Sequence, residues 1–311
     1  MSRFLKNLLI CSLPFILINI LIASILIEVS KADDLTYVNF ASSLDKTNRL
    51  DSLSGKQKII IIGGSNTRFG YKSDILKKGL GIEPVNMGIH IALGLDYMLE
   101  EVENKLESGD ILLISPEYQH FTSEQIYNGT SDRTDMYLIQ RKWDKAFVHI
   151  IETHNFSSFY KLLRKRYKRR HFNTDSIPET METRTKYNFY GDYVGHHKLP
   201  GQKLQRCDVS AGPNAQIIAE ITERINKIRQ RKVNVFIMPP PFPNIAYSRD
   251  RKNIEEVNAA LLNANIGFSI PPRETAYPLN LFYDTEYHLN EKGATLHTQK
   301  AVEIIKNQLA L

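Results

Sequence analysis

Residues 58–65 read KIIIIGGS. Four consecutive isoleucines leave no polar face. A short run of this kind suits a strand buried on both sides, as in a parallel sheet covered by helices. The run ends on Gly63-Gly64-Ser65, so the turn either binds something through its backbone or presents the Ser65 hydroxyl. Further short apolar runs follow, around Val85 in GIEPVNMGI, in DILLISPEY (Asp110–Tyr118), in VNVFIMPPPFP and, as a short last strand, in GFSIPP. Between them lie helical stripes at spacings of three and four: Leu95, Leu99, Val102 and Leu106; Ile217, Ile218, Ile221, Ile225 and Ile228; Ile254, Val257 and Leu261; Ala301, Ile304, Ile305 and Leu309. Strands alternating with helices predict an α/β domain, a parallel sheet between two helical layers. In such sheets the ligand site lies beyond the carboxyl ends of the strands, and Ser65 stands at one of them.

The chain has 311 residues, enough for one large α/β domain or two smaller ones plus an anchor. The anchor is expected at residues 1–30. Arg3 and Lys6 precede the run Leu8–Val29, which carries no charge before Glu28. About 20 apolar residues span the hydrocarbon core of a bilayer. The core of a cleaved signal runs to only about 7–15 residues, so the length favours a retained helix even though Ser30-Lys31-Ala32 offers small residues for cleavage. Basic residues ahead of the run keep the N-terminus in the cytoplasm and place the rest outside the cytoplasmic membrane. That topology removes nucleic acid from the expected partners. The net charge of +6 then points to anionic lipid or anionic polysaccharide. Residues 31–57 are polar, lack sustained periodicity and read as a stalk. Residues 58–311 read as the domain, with an insertion at about 119–210 that holds some helix around Asp144–Arg170. Within it, the basic run RKRYKRRH (Arg164–His171) is either a solvated helix face or a contact for anionic polymer or headgroups. Cys11 and Cys207 are not expected to pair. His196-His197 lacks further ligands at a recognised spacing, so neither a metal nor a cofactor is expected.

Three stretches stand where strand ends or helix starts can converge: Gly63-Gly64-Ser65, Asn86-Met87-Gly88, and FYDTEYHLNEKGA (Phe282–Ala294). A serine hydroxyl is a poor nucleophile until a base takes its proton. Histidine suits that role, and a carboxylate fixes its tautomer. His288 and Asp284 are near enough in sequence to pair, provided their loop is irregular. The oxyanion needs preorganised donors, for which the N–H groups of Ser65 and Gly88 are candidates. A nucleotide-binding turn fits poorly, because G-x-G-x-x-G counted from Gly63 needs glycines where Ser65 and Arg68 stand.

These blocks resemble the SGNH (GDSL-type) hydrolase fold. That family carries its serine in a Gly-x-Ser turn after the first strand, matched by Gly63-Gly64-Ser65. It has a glycine after the second strand, matched by Gly88, and a histidine shortly before the C-terminal helix, matched by His288. The form YHLNEKG is similar to the membrane-anchored branch, in which such domains are implicated in O-acylation of cell-envelope and exported polysaccharides. The resemblance covers Lys58–Tyr118 and Gly212–Leu311, but not the insertion. It implies an SGNH/flavodoxin-like sheet and a Ser65, Asp284, His288 triad. Two positions depart from the pattern. The acid usually stands three before the histidine, where this chain has Thr285; Asp284 is four before and Glu286 two before. The membrane-anchored branch tends to the longer spacing, which favours Asp284. The third block, Gly-x-Asn-Asp in the family, reads SPEYQHF here, so Glu117, Tyr118 or Gln119 takes the place of the asparagine donor, or nothing does. Asn86, Tyr118, Gln119 and Asn290 are the candidate substrate-binding residues. The resemblance implies serine-dependent O-acyl transfer, with acetyl the expected group, to an extracytoplasmic polysaccharide, fed by a membrane-bound acyl-donor protein. Water in place of the sugar makes it an esterase or deacetylase. Loss of the third block instead implies a non-catalytic envelope or polysaccharide-binding module.

Overall fold

A computed structural model describes residues 3–30, 40–154 and 183–309 of the chain. Helix α1 (Arg3–Ser30) comes first, then α2 (Ser42–Ser52), strand β1 (Lys58–Ile62), α3 (Ser65–Gly70), α4 (Ser73–Leu80), β2 (Glu83–Asn86) and α5 (Leu95–Glu103). Strand β3 (Ile111–Ile114) leads into α6 (Glu124–Asn128), α7 (Ser131–Ile139) and α8 (Trp143–Glu152). The chain closes with α9 (Ala215–Gln230), β4 (Asn234–Ile237), β5 (Phe242–Pro243), α10 (Asn244–Asn263), β6 (Ala276–Tyr277) and α11 (Glu291–Leu309).

The fold is α/β. Four parallel strands form one sheet in the order β2-β1-β3-β4, and β5 pairs with β6 in a separate two-residue ladder. Ile61 of β1 stands opposite Asn86 on one side and Leu113 on the other. All five residues of β1 are buried. Side chains alternate across a strand, so the isoleucine run splits between two cores. Ile60 and Ile62 join Leu112, Ile114 and the apolar stripes of α5, α9 and α10. Ile59 and Ile61 join Ile111, Leu113, Leu76 of α4 and Ala301, Ile304 and Ile305 of α11. A run with no polar face is thus explained by a helical cover on each side of the sheet.

Two expectations are corrected. The stalk ends earlier than residue 57. From Phe40 onward the chain packs on the domain, with Phe40, Leu50 and Leu53 in the core. Lys46 of α2 is buried, and its Nζ donates to Asn86 O (2.8 Å), Gly88 O (2.8 Å) and Gly191 O (2.6 Å). An ammonium held by three carbonyls leaves no hydrophobic signature, so the helix reads as polar linker. GFSIPP forms no strand. Ser269 N–H donates once, to Ile237 O, and the ladder cannot extend because Pro271 and Pro272 carry no N–H. Of the helix expected around Asp144–Arg170, the described residues show α8, ending at Glu152; positions from 155 to 182, including the basic run Arg164–His171, lie outside the described residues.

The insertion does not stand apart from the domain. Residues 183–209 return across the carboxyl ends of β1 and β2. Asn86 N–H donates to Tyr190 O, and Tyr193 N–H to Arg68 O. Asp192 is buried and accepts from Ser73 N–H, Ser73 Oγ–H, Asn86 Nδ2 and Asn188 Nδ2. Among the described residues, no helix is long and apolar enough to cross a membrane. On α1, side chains are described only between Lys6 and Leu21, and not at every position. Those of Leu8, Ile10, Leu13, Phe15, Ile16, Leu17, Ile18 and Leu21 are exposed.

Candidate active site

The strand order reverses between β1 and β3, which opens a crevice at their carboxyl ends. The Gly63-Gly64-Ser65 turn fills it. Both glycines are needed for close approach. A Cβ on Gly63 would collide with Ser115 O at the end of β3, and one on Gly64 with the Glu117 carboxyl. The start of α3 is tied to β3 by Asn66 Nδ2 and Thr67 Oγ1, which donate to Ser115 O at 2.8 and 3.0 Å. Asn66 N–H donates to Glu117 Oε1 at 3.3 Å. Ser65 is the first residue of α3 and is 8% exposed, at the edge of this packed turn.

His288 and Asp284 meet directly. Nδ1 lies 2.7 Å from Asp284 Oδ1. A carboxylate only accepts, so Nδ1 carries the proton and Nε2 is the nitrogen left for a reacting hydroxyl. The loop explains the spacing of four. Thr285 Oγ1 accepts from the N–H groups of Tyr287 (3.2 Å) and His288 (3.1 Å). Tyr283 N–H donates to His288 O, and Phe282 bridges to Leu289. The chain therefore turns back on itself at Thr285, and Asp284 rather than residue 285 faces the imidazole. Glu286 is used elsewhere: it pairs with Arg249 at 2.7 Å and accepts Cys207 N–H.

The His288 ring lies flat on Phe69, with centroids 4.0 Å apart and planes 1° from parallel. Phe69 is four residues after Ser65 on α3, and residues four apart share a helix face. His288 is thereby held over the face of α3 that carries Ser65. Among the described residues no hydrogen bond joins Ser65 to His288; such contacts are often long before substrate binds. Burial pushes the His288 pKa below its ordinary value, Asp284 pulls it back up, and the nearby Arg68 guanidinium pushes it down again.

Of the two oxyanion donors expected, Ser65 contributes the first N–H of α3. Gly88 is put to another use: its N–H donates to Asn86 Oδ1 at 3.0 Å, and a Cβ there would meet Thr67 Cβ at 2.6 Å. Gly88 lets β2's end pack on α3. The four candidate substrate-binding residues are also engaged in the scaffold. Asn86 is fully buried, with Nδ2 donating to Thr67 O and Asp192. Tyr118 is buried edge-on to Phe242 and Phe268. Gln119 accepts Tyr287 Oη–H at 2.8 Å and donates to Asp208 O at 2.9 Å, so it joins the third loop to the last. Asn290 accepts Gly293 N–H at 3.0 Å, which caps α11. Asn86, Gln119 and Asn290 spend side-chain polar atoms on the protein itself, while the buried Tyr118 hydroxyl has no hydrogen-bond partner among the described residues, and a motif match reveals neither.

Two nearby residues were not among the sequence's candidates for this site. Arg68 is buried with Nη1 donating to Tyr187 Oη at 2.8 Å and its guanidinium over Phe69 and Tyr193. His196 packs on Phe69 at 4.6 Å, and its Nε2 lies 3.0 Å from Leu289 O. Burial lowers the His196 pKa to about 3, so the ring is neutral. The one available cue for Arg68 was its place three residues after Ser65 on the same short helix. Among the described residues no cluster of three or more His, Cys, Asp or Glu is arranged to hold a metal ion. The chain matches no protein-family model, no curated protein and no solved structure.

Proposed function

We propose that this chain is an SGNH-like serine acyltransferase that moves an acyl group, with acetyl first to be tested, to an extracytoplasmic polysaccharide. The observation that carries the reading is the Asp284–His288 hydrogen bond of 2.7 Å, seated flat on Phe69 of the helix that begins at Ser65. Ser65 Oγ attacks the donor's carbonyl carbon while His288 Nε2 takes its proton. The carbon–leaving-group bond breaks, and the leaving group departs with that proton. An acceptor hydroxyl then gives its proton to His288, bonds to the acyl carbon and releases Ser65, which recovers the proton. Asp284 holds the ring in the tautomer both halves require and stabilises the imidazolium between them. The Ser65 N–H is the oxyanion donor this chain offers. Gly88 adds none while Asn86 holds its N–H. The reading includes anchoring by α1, for which exposed apolar side chains such as Phe15 are the support. A membrane-bound acyl-donor protein follows by analogy, as no free acyl-CoA exists outside the cytoplasm.

The test is labelling of the full-length chain in detergent with a fluorophosphonate, wild type beside Ser65→Ala and His288→Ala. Loss of a triad serine or histidine costs about a millionfold in turnover, so labelling of wild type alone is the expected result. A burst on an aryl acetate followed by slow turnover favours a sugar acceptor over water. Equal absence of labelling in folded protein would replace this reading with a binding module.

A further inference from the structure

The third loop lacks the amide donor of the family pattern, and a carboxyl occupies its place. Glu117 follows β3, on the side of the crevice facing the Ser65 turn. It is 1% exposed. Oε1 accepts Asn66 N–H at 3.3 Å, one residue beyond the candidate nucleophile. Both carboxyl oxygens press on Gly64, at the position a Cβ would occupy. Oε2 has no hydrogen-bond partner among the described residues, and His120 Nδ1 lies 3.4 Å from it.

We propose that Glu117 is the positioning residue of the Ser65 turn: it holds the Asn66 N–H and the Gly64 backbone, and so sets the angle at which Ser65 is presented to His288. The proposal rests on the reading of Ser65 as a nucleophile. The carboxyl does this work in its protonated form. His120 is wholly buried, and burial lowers its pKa to about 4, so the ring is neutral and carries one N–H. It faces two carbonyls, Ile91 O from Nε2 and Glu117 O from Nδ1, both at 3.2 Å, and can donate to only one. Donating from Nε2 leaves Nδ1 as an acceptor aimed at Oε2. In that tautomer a proton on Oε2 satisfies both atoms and an ionised carboxylate satisfies neither, whereas a proton on Nδ1 would leave the Nε2 lone pair against Ile91 O. Burial accordingly pushes the Glu117 pKa up, to about 7.

The other titratable groups acting on this site are His90 from the loop after β2, Tyr287 from the loop before α11, and Cys207 from the end of the insertion. Of these only His90 acts on the carboxylate as a positive charge, and its pull is smaller than the push of burial. Ionisation therefore puts a negative charge against Gly64 and the Asn66 N–H, beside Ser65. A charge there opposes the developing oxyanion, so Ser65 is expected to lose reactivity as pH rises through about 7.

The experiment measures the rate of fluorophosphonate labelling from pH 5 to pH 9 for the full-length wild type, Glu117→Gln and Glu117→Ala. Glutamine mimics the protonated acid, with an oxygen for Asn66 N–H and an N–H for His120. The expected wild-type profile rises on the acid side as His288 loses its proton and falls by about tenfold on the alkaline side. Glu117→Gln should match wild type near pH 6 within about threefold and show no alkaline fall. Glu117→Ala, which leaves Asn66 N–H without its acceptor, should label at least about tenfold more slowly at every pH. Should the alanine variant fail to fold, the glutamine profile decides alone. An alkaline limb unchanged in Glu117→Gln overturns this inference and leaves the reading of Ser65 intact. Wild type unlabelled at every pH overturns that reading and this inference with it.

Discussion

At the scale of single residues, the chemistry depends on which atom of each side chain is left over after the scaffold has been built. His288 spends Nδ1 on Asp284 and keeps Nε2. Asp284→Asn presents an amide that can donate to Nδ1, which turns the ring to the wrong tautomer. Fluorophosphonate labelling is expected to slow by roughly ten-thousandfold while the fold is retained, as for a comparable triad change. Burial and Arg68 both hold the His288 pKa below its ordinary value, so the base stays neutral to a lower pH than a free imidazole. Labelling should decline only as pH falls through that depressed value. Removing the cation raises the histidine's pKa. Arg68→Met is therefore expected to move the acid limb to higher pH, read from the same profile; an unmoved limb would refute the coupling.

At the scale of elements, two short loops do what the strands and helices cannot. The turn at Thr285 makes a pair four residues apart face each other, although no helix is present there. The turn at Gly63-Gly64 brings α3 against β3 without room for a methyl group. Gly64→Ala must displace a buried carboxyl. It should reduce labelling by more than about tenfold and lower the melting temperature together. The strand beneath is held by apolar burial. Ile61→Ala should lose about 2–5 kcal/mol of stability and Ile61→Val only about 0.5–1.5 kcal/mol, both read from urea unfolding. Equal effects would mean that Ile61 is not packed between α4, α11 and the sheet.

At the scale of the whole molecule, charge burial sets the response to pH. Burial lowers the pKa of His120 and His149 to about 4 and of His196 and His297 to about 3. The unfolded chain binds protons at these sites near pH 6.5, and the folded chain does not. Stability is therefore lost as pH falls below about 6.5, until the folded values are reached. Glu117 works in the opposite sense. Its raised pKa means that its contribution is complete below the unfolded carboxyl value and is lost as pH rises through about 7. Four histidines outweigh one glutamate, so thermal melts from pH 7 to pH 4 should show net destabilisation. Glu117→Gln should be more stable than wild type at pH 8 and no more stable at pH 4.5. The returning half of the insertion belongs to this scale too. Asp192 gathers four hydrogen bonds from Ser73, Asn86 and Asn188, and so ties residues 183–209 to the sheet edge on which the site is built.

The sheet and its covering helices were legible in the sequence because burial leaves a period. The unbroken isoleucines of β1 required cover on both faces, and the stripes of α5, α9, α10 and α11 supplied it. The pairing of Asp284 with His288 was legible because both lie in one local loop. Residues whose roles depend on distant partners were not. Lys46 is caged by carbonyls as far away as Gly191, Gly88 gives its N–H to Asn86, and Tyr118 is packed among aromatics from β5 and beyond. Glu117 is an ordinary acid in sequence and becomes unusual only when β3 carries it beneath Gly64 and beside His120. Periodicity is a local property that the chain carries along its length. The satisfaction of a buried polar group is a property of what folding brings to it, and only the tertiary structure decides that.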